Sequence, residues 1–317
     1  MNKNINITLP DGNKMELAKG STGHDVASSI SESLAKSAVA ITVDGELRDL
    51  HRSIKSDCKV EIIKKSNDEA LEIIRHDCAH VMAEAVQKLY PETRVTIGPA
   101  IEYGFYYDFY RDKPFTIEDL DKIEKKMCDI IDRGDEFKRE IWKKEEALKF
   151  FKDQGEHYKA EIINDLNENE NITIYKQGKW LDLCRGPHLP STTYIGKAFK
   201  LLNVAGAYWR GDENNVMLTR IYGTVWRTEK ELKTHLQMLE EAEKRDHRKI
   251  GKELEIFAFD DEVGPGLPLW LPSGAIMIEE LENLAKETEK LAGYFRVKTP
   301  HLTKGILYER SGHLKHY

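Results

Sequence analysis

The first 64 residues alternate apolar and polar side chains in short runs, a pattern typical of half-buried β-strands. Residues 4–17 form two such runs around Asp11-Gly12, a dipeptide that favours a tight hairpin. A helical run from His24 to Ala35 comes next, and a turn at Asp44-Gly45 precedes a last strand over Cys58 to Ile63. This order predicts a ubiquitin-like β-grasp unit. No paired acid, base or nucleophile occurs in this unit, so we interpret it as an appended binding module.

The spacing of apolar residues becomes helical after a polar break, and it stays so over residues 69–89 before Pro91. A hairpin-like segment at 97–110 and a charged helix over 117–133 come next, and further strands extend to Trp226. Residues 65–226 are therefore predicted to form a second domain that mixes helices with strands. The predicted fold class of the chain is α+β.

The segment from Thr228 to Glu253 is densely charged, with i,i+4 pairs such as Glu240 and Lys244. It predicts a single solvated helix that connects the second domain to the C-terminal segment. Residues 251–317 are then predicted to contain an amphipathic helix and a short strand that leads into Pro300.

The composition says more about the cellular compartment of the protein than about its function. The chain has 317 residues, a formal net charge of −7, and scattered cysteines. Neither a leader at Met1 nor a run of the ~18 apolar residues that span a membrane is found, so we expect a reducing, cytoplasmic location and no membrane partner. The net negative charge argues against a protein that binds nucleic-acid phosphates over its whole surface. It is compatible with tRNA binding through a local basic surface, for which the run at 244–249 is one candidate.

Two histidines, His76 and His80, are spaced i and i+4 in a predicted helix, so they project from one face. Such a pair can bind a metal, share a substrate, or simply form a polar stripe. The thermolysin-type zinc motif requires Glu directly after the first histidine, and this chain has Asp77 there. A metalloprotease is therefore not expected.

A second cluster, from Asp182 to His188, brings an acid, the Cys184 thiol and an imidazole within seven residues, with a Gly-Pro turn. If this loop folds against the helix, a four-ligand nitrogen and sulphur set results, as tetrahedral zinc requires. The same groups without metal can hold a water and polarise an ester. Spacing alone does not choose between them.

Six blocks of sequence match one family in order. They are RHDCAHVMAEAVQKLYP, IGPAIEYGFYYDF, LCRGPH, AGAYWRGD, RIYGTVW and AEKRDHRKIGKELEIF. The chain thereby resembles the N-terminal half of bacterial threonyl-tRNA synthetases. The resemblance implies a TGS domain at 1–64, an editing domain at 65–226, a linker helix at 227–250, and the start of a class II catalytic domain with motif 1 at 251–317.

The resemblance also implies an editing pocket that hydrolyses Ser-tRNA(Thr). Its implied residues are His76, His80, Lys159, Asp182, Cys184 and His188. The family implies a water nucleophile and no cofactor, while zinc on His76, His80, Cys184 and His188 is the alternative. Cys184 as a covalent nucleophile is a further alternative. We expect the two α-helical histidines to position substrate and water, Lys159 to steady charge, and Cys184 with His188 to shape the serine pocket.

For the longer protein, the resemblance implies ligation of threonine to tRNA(Thr) with ATP, Mg and a catalytic-domain zinc. The residues for these steps, including motifs 2 and 3, would lie beyond Tyr317. The resemblance also implies a homodimer formed through the catalytic domain, so we do not expect this portion alone to dimerise. Because the class II sheet cannot be completed from this much sequence, residues beyond about Gly264 are expected to be partly disordered or to expose apolar surface. Competing hypotheses are a freestanding Ser-tRNA deacylase and a noncatalytic tRNA-binding module.

Overall fold

The computed structural model describes residues 4–167 and 171–315. The chain divides into two compact units, one up to Leu236 and one from Gln237 onward. Helices and strands are mixed throughout the first unit, so the predicted α+β class is confirmed.

A five-stranded sheet with two helices forms the β-grasp region. The elements are β1 (Asn4–Thr8), β2 (Lys14–Ala18), α1 (Gly23–Ile30), α2 (Glu32–Ser37), β3 (Ala38–Val43), β4 (Glu46–Asp49) and β5 (Cys58–Lys64). The strand order is β2-β1-β5-β3-β4, and β1 pairs in parallel with β5, as is typical of a β-grasp.

The single helix predicted from His24 to Ala35 is wrong, because the chain forms two helices that meet at Ser31. Ser31 is extended, with φ −167°, and its side chain accepts a hydrogen bond from the Leu34 amide at 3.1 Å. Serine competes well for such a cap because its hydroxyl replaces the missing intrahelical partner. Helical spacing alone did not reveal this break.

The next region surrounds one long helix with two sheets. The elements are α3 (Asp68–Leu89), β6 (Arg94–Val95), β7 (Ala100–Ile101), β8 (Gly104–Tyr110), α4 (Ile117–Arg133), β9 (Phe137–Trp142), α5 (Lys144–Asp153), α6 (His157–Asp165), β10 (Ile172–Gln177), β11 (Trp180–Leu183), β12 (Phe199–Tyr208) and β13 (Met217–Val225). One sheet has the order β11-β10-β9. The other has the order β12-β13-β8-β6, with β7 paired to β8.

Helix α3 packs against both α4 and β8, and most of its residues between Ala70 and Val86 are buried. Its apolar side chains share a core with β-grasp residues such as Val39 and Ile63. The helix nevertheless buries charged side chains at Arg75, Asp77 and Glu84 as well. Burial of charge is costly unless it is paired, so these positions mark α3 as the helix on which to search for chemistry.

The predicted single helix over 228–253 is also wrong. The structure has α7 (Glu229–Lys244) and α8 (His247–Glu253), which are separated at Asp246. The Asp246 side chain accepts from the Arg248 amide at 2.8 Å and starts the second helix as an N-cap. The expected pair of Glu240 and Lys244 is present at 2.8 Å.

The second compact unit begins within α7, at Gln237, and includes α8. Its remaining elements are β14 (Phe257–Ala258), β15 (Leu269–Trp270), α9 (Pro272–Leu291) and α10 (Gly305–Ser311). The strand predicted before Pro300 is wrong, since residues 294–300 have no regular structure and no described strand pairs with them. Helix α9 exposes apolar side chains, including 64% of Leu281 and 61% of Leu284, in agreement with the expected apolar surface. Within the described ranges, no helix has both the length and the apolar character to cross a membrane.

Candidate active site

The two histidines of α3 lie one turn apart, as their spacing predicts. The ring centroids of His76 and His80 are 4.7 Å apart, and the rings meet edge to face. His80 is 4% exposed, while His76 is partly exposed. One face of a buried helix therefore presents both imidazoles to the same space.

The loop after β11 folds against this face and brings its thiol between two imidazoles. The Cys184 Sγ lies 3.0 Å from His76 Nε2 and 3.2 Å from His188 Nε2. The amide of Gly186 donates to the same sulphur at 3.3 Å. The distant clusters in the sequence thus form one group, as the hypothesis of a folded-back loop requires.

A buried ion pair stands beside the histidines. The Lys159 Nζ, on α6, lies 2.5 Å from Asp182 Oδ1 and donates to the Tyr107 hydroxyl at 3.0 Å. The Tyr107 hydroxyl in turn donates to Asp182 Oδ2 at 2.7 Å. All three side chains are at most 3% exposed. The cation and the carboxylate are thus paired, which is the condition under which such groups tolerate burial.

A second buried acid holds His188. Asp77 Oδ1 lies 2.6 Å from His188 Nδ1, and Asp77 Oδ2 accepts from the Leu189 amide at 2.8 Å. The Phe137 ring stacks on the imidazole with a centroid distance of 4.9 Å. Because Nδ1 faces Asp77, the Nε2 of His188 is directed at Cys184. A carboxylate in this position orients a histidine, whether that histidine serves a metal or a reaction.

Burial shifts the titration of these groups in one direction, towards neutrality. It lowers the pKa of His76 to about 4, with the neighbouring His188 as a second cause, and lowers that of His188 to about 4. It also lowers the pKa of His80, and it raises the pKa of the Cys184 thiol to about 12. At neutral pH the histidines are therefore uncharged imidazoles and the cysteine is a thiol.

The cluster opens into a cavity of about 530 Å³. Five of the six predicted site residues line it: His76, His80, Lys159, Asp182 and Cys184. His188 lies behind Cys184 and does not line the cavity. Gly98 also lines the cavity, where a Cβ would lie 2.1 Å from the Tyr107 ring. This volume lies within the range of ~300 to 1,000 Å³ that is typical of small-molecule sites.

The four nitrogen and sulphur donors also suit a metal. One ligand atom from each of His76, His80, Cys184 and His188 lies within 4.8 Å of the others. Tetrahedral zinc with its usual bonds would place such atoms about 3.3 to 3.6 Å apart. The set therefore fits zinc in number, in kind and nearly in spacing, and Asp77 occupies the supporting position that a zinc-bound histidine uses.

Three residues next to this cluster were not among the predicted site residues. They are Asp77, Tyr107 and Asp49, the last of which accepts from the His188 amide at 2.8 Å. Asp77 could have been found, because an acid between two i,i+4 histidines is an unusual choice for a buried helix. Tyr107 and Asp49 carry no local signal, since only the fold brings them to the site.

Two family models match this chain. Residues 5–64 match the TGS domain, and residues 172–222 match the threonyl and alanyl tRNA synthetase second additional domain. The second match includes Asp182, Cys184 and His188. The fold and these matches define the class of protein: a β-grasp TGS domain joined to the additional domain of threonyl- and alanyl-tRNA synthetases.

Over nearly its whole length, the chain is similar to threonine–tRNA ligases. The chain is 54% identical to the threonine–tRNA ligase of Maricaulis maris over 99% of its own length, and 54% identical to that of Hyphomonas neptunium over 98%. The ligase of Caulobacter vibrioides is 51% identical over 99%. These matches cover 48%, 47% and 48% of the relatives, so the chain spans about half the length of the curated relatives it matches. The predicted resemblance to the N-terminal portion of threonine–tRNA ligases is confirmed.

Proposed function

We propose that this chain hydrolyses the ester between serine and tRNA(Thr). The observation that carries the proposal is the closed group of His76, His80, Cys184 and His188 beside the buried pair of Lys159 and Asp182. Uncharged imidazoles and a cation at the wall of one cavity are the groups that ester hydrolysis requires. The similarity to threonine–tRNA ligases supports the choice of ester.

Serine is the substrate for a physical reason. A ligase that selects threonine can require its hydroxyl, but serine keeps that hydroxyl and lacks only a methyl group. One methyl group changes binding by only ~1 to 3 kcal/mol, which is too little to exclude serine at the first site. A second pocket without room for the methyl group removes serine from tRNA and spares threonine, as double-sieve editing does.

In the proposed reaction, a water molecule attacks the ester carbonyl. His76 and His80 position this water and the substrate, and a neutral imidazole accepts the proton that the water loses. The bond between the carbonyl carbon and the ribose oxygen then breaks, and the imidazolium returns its proton to that oxygen, so that serine and the tRNA hydroxyl are released. The Lys159 ammonium steadies the charge that develops on the carbonyl oxygen. The pair with Asp182 fixes Lys159 in place, so little reorganisation is needed when that charge appears. Cys184 forms the wall against which the serine side chain fits, and His188 holds Cys184 in place from behind.

We propose that the reaction needs neither a metal nor a covalent enzyme intermediate. The Cys184 sulphur is already engaged by two imidazoles and one amide. The raised pKa of the thiol, caused by burial, opposes its use as a nucleophile. If His76, His80, Cys184 and His188 held zinc instead, the metal could activate a water only by giving up one of these four ligands or by binding the water as an additional ligand.

For the longer protein we propose ligation of threonine to tRNA(Thr) with ATP, Mg and a zinc-containing catalytic domain, and assembly as a homodimer. The proposal rests on the name of the relatives, threonine–tRNA ligase, and on the identity of 54%. The 317-residue chain alone is proposed to hydrolyse but not to ligate. A freestanding deacylase is less favoured, because the relatives are about twice as long.

The test is hydrolysis of preformed Ser-tRNA(Thr) and Thr-tRNA(Thr) by this chain, with and without a chelator. Selective loss of the seryl ester that resists chelation is expected. Loss of activity in the chelator, with recovery on addition of zinc, would move the site to metal chemistry. Hydrolysis of neither ester by a folded sample that still binds tRNA would leave the noncatalytic binding module as the function.

A further inference from the structure

One acid of the β-grasp sheet reaches the loop of the candidate site. Asp49 is the last residue of β4, and its two oxygens have different partners. Oδ1 accepts from the backbone amide of His188 at 2.8 Å, and Oδ2 accepts from the Tyr175 hydroxyl at 2.7 Å. Both partners belong to the second domain, where Tyr175 lies on β10.

These two partners touch each other as well. The Tyr175 ring centroid lies 4.1 Å from that of His188, and both side chains are at most 3% exposed. The loop also passes close to the Tyr175 hydroxyl, since a Cβ on Gly186 would lie 2.2 Å from that oxygen. The Tyr175 hydroxyl, which is hydrogen-bonded to Asp49, therefore packs against the loop from Cys184 to His188 and limits its position.

His188 in turn contacts the Cys184 sulphur, which lies at the wall of the cavity. Its Nε2 lies 3.2 Å from Cys184 Sγ, while its Nδ1 faces Asp77. Asp77 fixes the ring and Asp49 fixes the backbone amide, so His188 is held at two points from two different domains. Displacement of a group in a site by even ~1 Å can reduce a rate by about 10²-fold.

We propose that Asp49 is a positioning residue of the hydrolytic site, by which the β-grasp domain holds His188 and the Cys184 loop in the geometry for reaction. This inference rests on the proposed function. It assigns the β-grasp domain a part in the chemistry that is separate from any part in tRNA binding. Asp49 itself does not line the cavity that contains the site.

The test uses three variants of the full chain and a small substrate. Asp49→Ala removes both acceptors. Asp49→Asn can preserve both contacts, because the amide oxygen accepts from His188 and the amide nitrogen donates to the tyrosine oxygen. Asp44→Ala is the matched control, since Asp44 in the same domain accepts from the Lys59 amide at 2.8 Å. The substrate is the seryl ester of adenosine, which is too small for tRNA contacts to affect its hydrolysis.

We expect Asp49→Ala to lower kcat for the seryl ester on the order of 10-fold or more, with a smaller change in KM. Asp49→Asn should restore most of the rate, and Asp44→Ala should leave it unchanged. NMR provides an independent readout: the His188 amide and ring resonances should move in Asp49→Ala and not in Asp44→Ala.

An unchanged kcat in folded Asp49→Ala would overturn the proposal, and so would an equal loss in Asp44→Ala. A loss seen with Ser-tRNA(Thr) but not with the small ester would also overturn it, because that result assigns Asp49 to tRNA binding. If the wild type hydrolyses neither ester, the proposed function itself has failed. The NMR comparison then decides separately whether Asp49 holds His188.

Discussion

The β-grasp domain and its neighbour in the chain bury different kinds of side chain. Among described residues 4–64, every buried residue is apolar or glycine. The second domain has cores of similar apolar character, but it also buries Asp77, His80, Glu84 and Lys159, together with further polar side chains. Both domains have enough apolar material to fold. Only one of them retains costly buried charge, and that is where the candidate site lies.

This contrast separates a scaffold from a site. The β-grasp residues could be interpreted from sequence as a binding module because their core has no chemistry of its own. Asp49 qualifies that interpretation, since its carboxylate contacts the site loop from a sheet that is otherwise a scaffold. A domain can thus contribute to a site through one side chain at its edge.

Breaking the buried ion pair should change stability more than any other substitution considered for the two domains. Lys159→Ala leaves Asp182 buried without its cation, which should reduce the free energy of unfolding by ~3 to 5 kcal/mol. Urea denaturation measures the loss. The double variant Lys159→Met, Asp182→Leu is the control and should lose less, because it leaves no unpaired charge. Equal losses in the two variants would contradict the role given to pairing.

The next effect is a dependence of stability on pH to which the second domain should contribute most, because its histidines are more deeply buried than His51 of the β-grasp domain. Because burial lowers the pKa of His76 and His188 to about 4, the unfolded chain, with its usual histidine pKa near 6.5, takes up protons first as pH falls. Stability present above about pH 6.5 should therefore decline between about pH 6.5 and 4, by about 3 kcal/mol for one buried histidine.

Urea titrations at several pH values, in a chelator, test this dependence. The His76→Ala, His80→Ala variant should show a shallower decline over the same window. A decline of the same slope in this variant would show that other groups control it.

A weaker effect is expected in the β-grasp core. Ile7 is fully buried there, and Ile7→Val should cost about 1 kcal/mol through loss of one methylene group. Seryl ester hydrolysis per folded molecule should not change, because Ile7 belongs to the scaffold. A change in kcat of more than a few-fold would mean that the scaffold and the site are more strongly coupled than the single contact of Asp49 implies.

Sequence patterns predicted much of this architecture because their signals are local. The two Asp-Gly turns, the helix at Ile117–Arg133 and the i,i+4 histidines each depend on neighbouring residues only. Two segments that were predicted as single helices are interrupted at Ser31 and Asp246. At each position a side chain caps the start of a new helix, although the spacing of apolar residues favours one continuous helix. The expected strand before Pro300 failed because a strand needs a partner, which spacing cannot supply.

The site was predicted in part for the same reason. The residues of the matched motifs, His76, His80, Cys184 and His188, meet in space. Spacing could not show that Asp77 would face His188, that Tyr107 would join Lys159 to Asp182, or that a β-grasp acid would reach the loop. These contacts connect residues that are far apart in the chain.

A comparison of two histidine pairs tests whether the buried cluster is the hydrolytic site. His76→Ala, His80→Ala removes the pair in the buried site, and His24→Ala, His51→Ala removes a pair in the β-grasp domain whose rings are 5.5 Å apart. Hydrolysis of Ser-tRNA(Thr) should fall by at least ~10²-fold in the first variant and stay at the wild-type rate in the second. Equal rates in both variants, with both samples folded, would contradict the assignment of hydrolysis to the buried cluster.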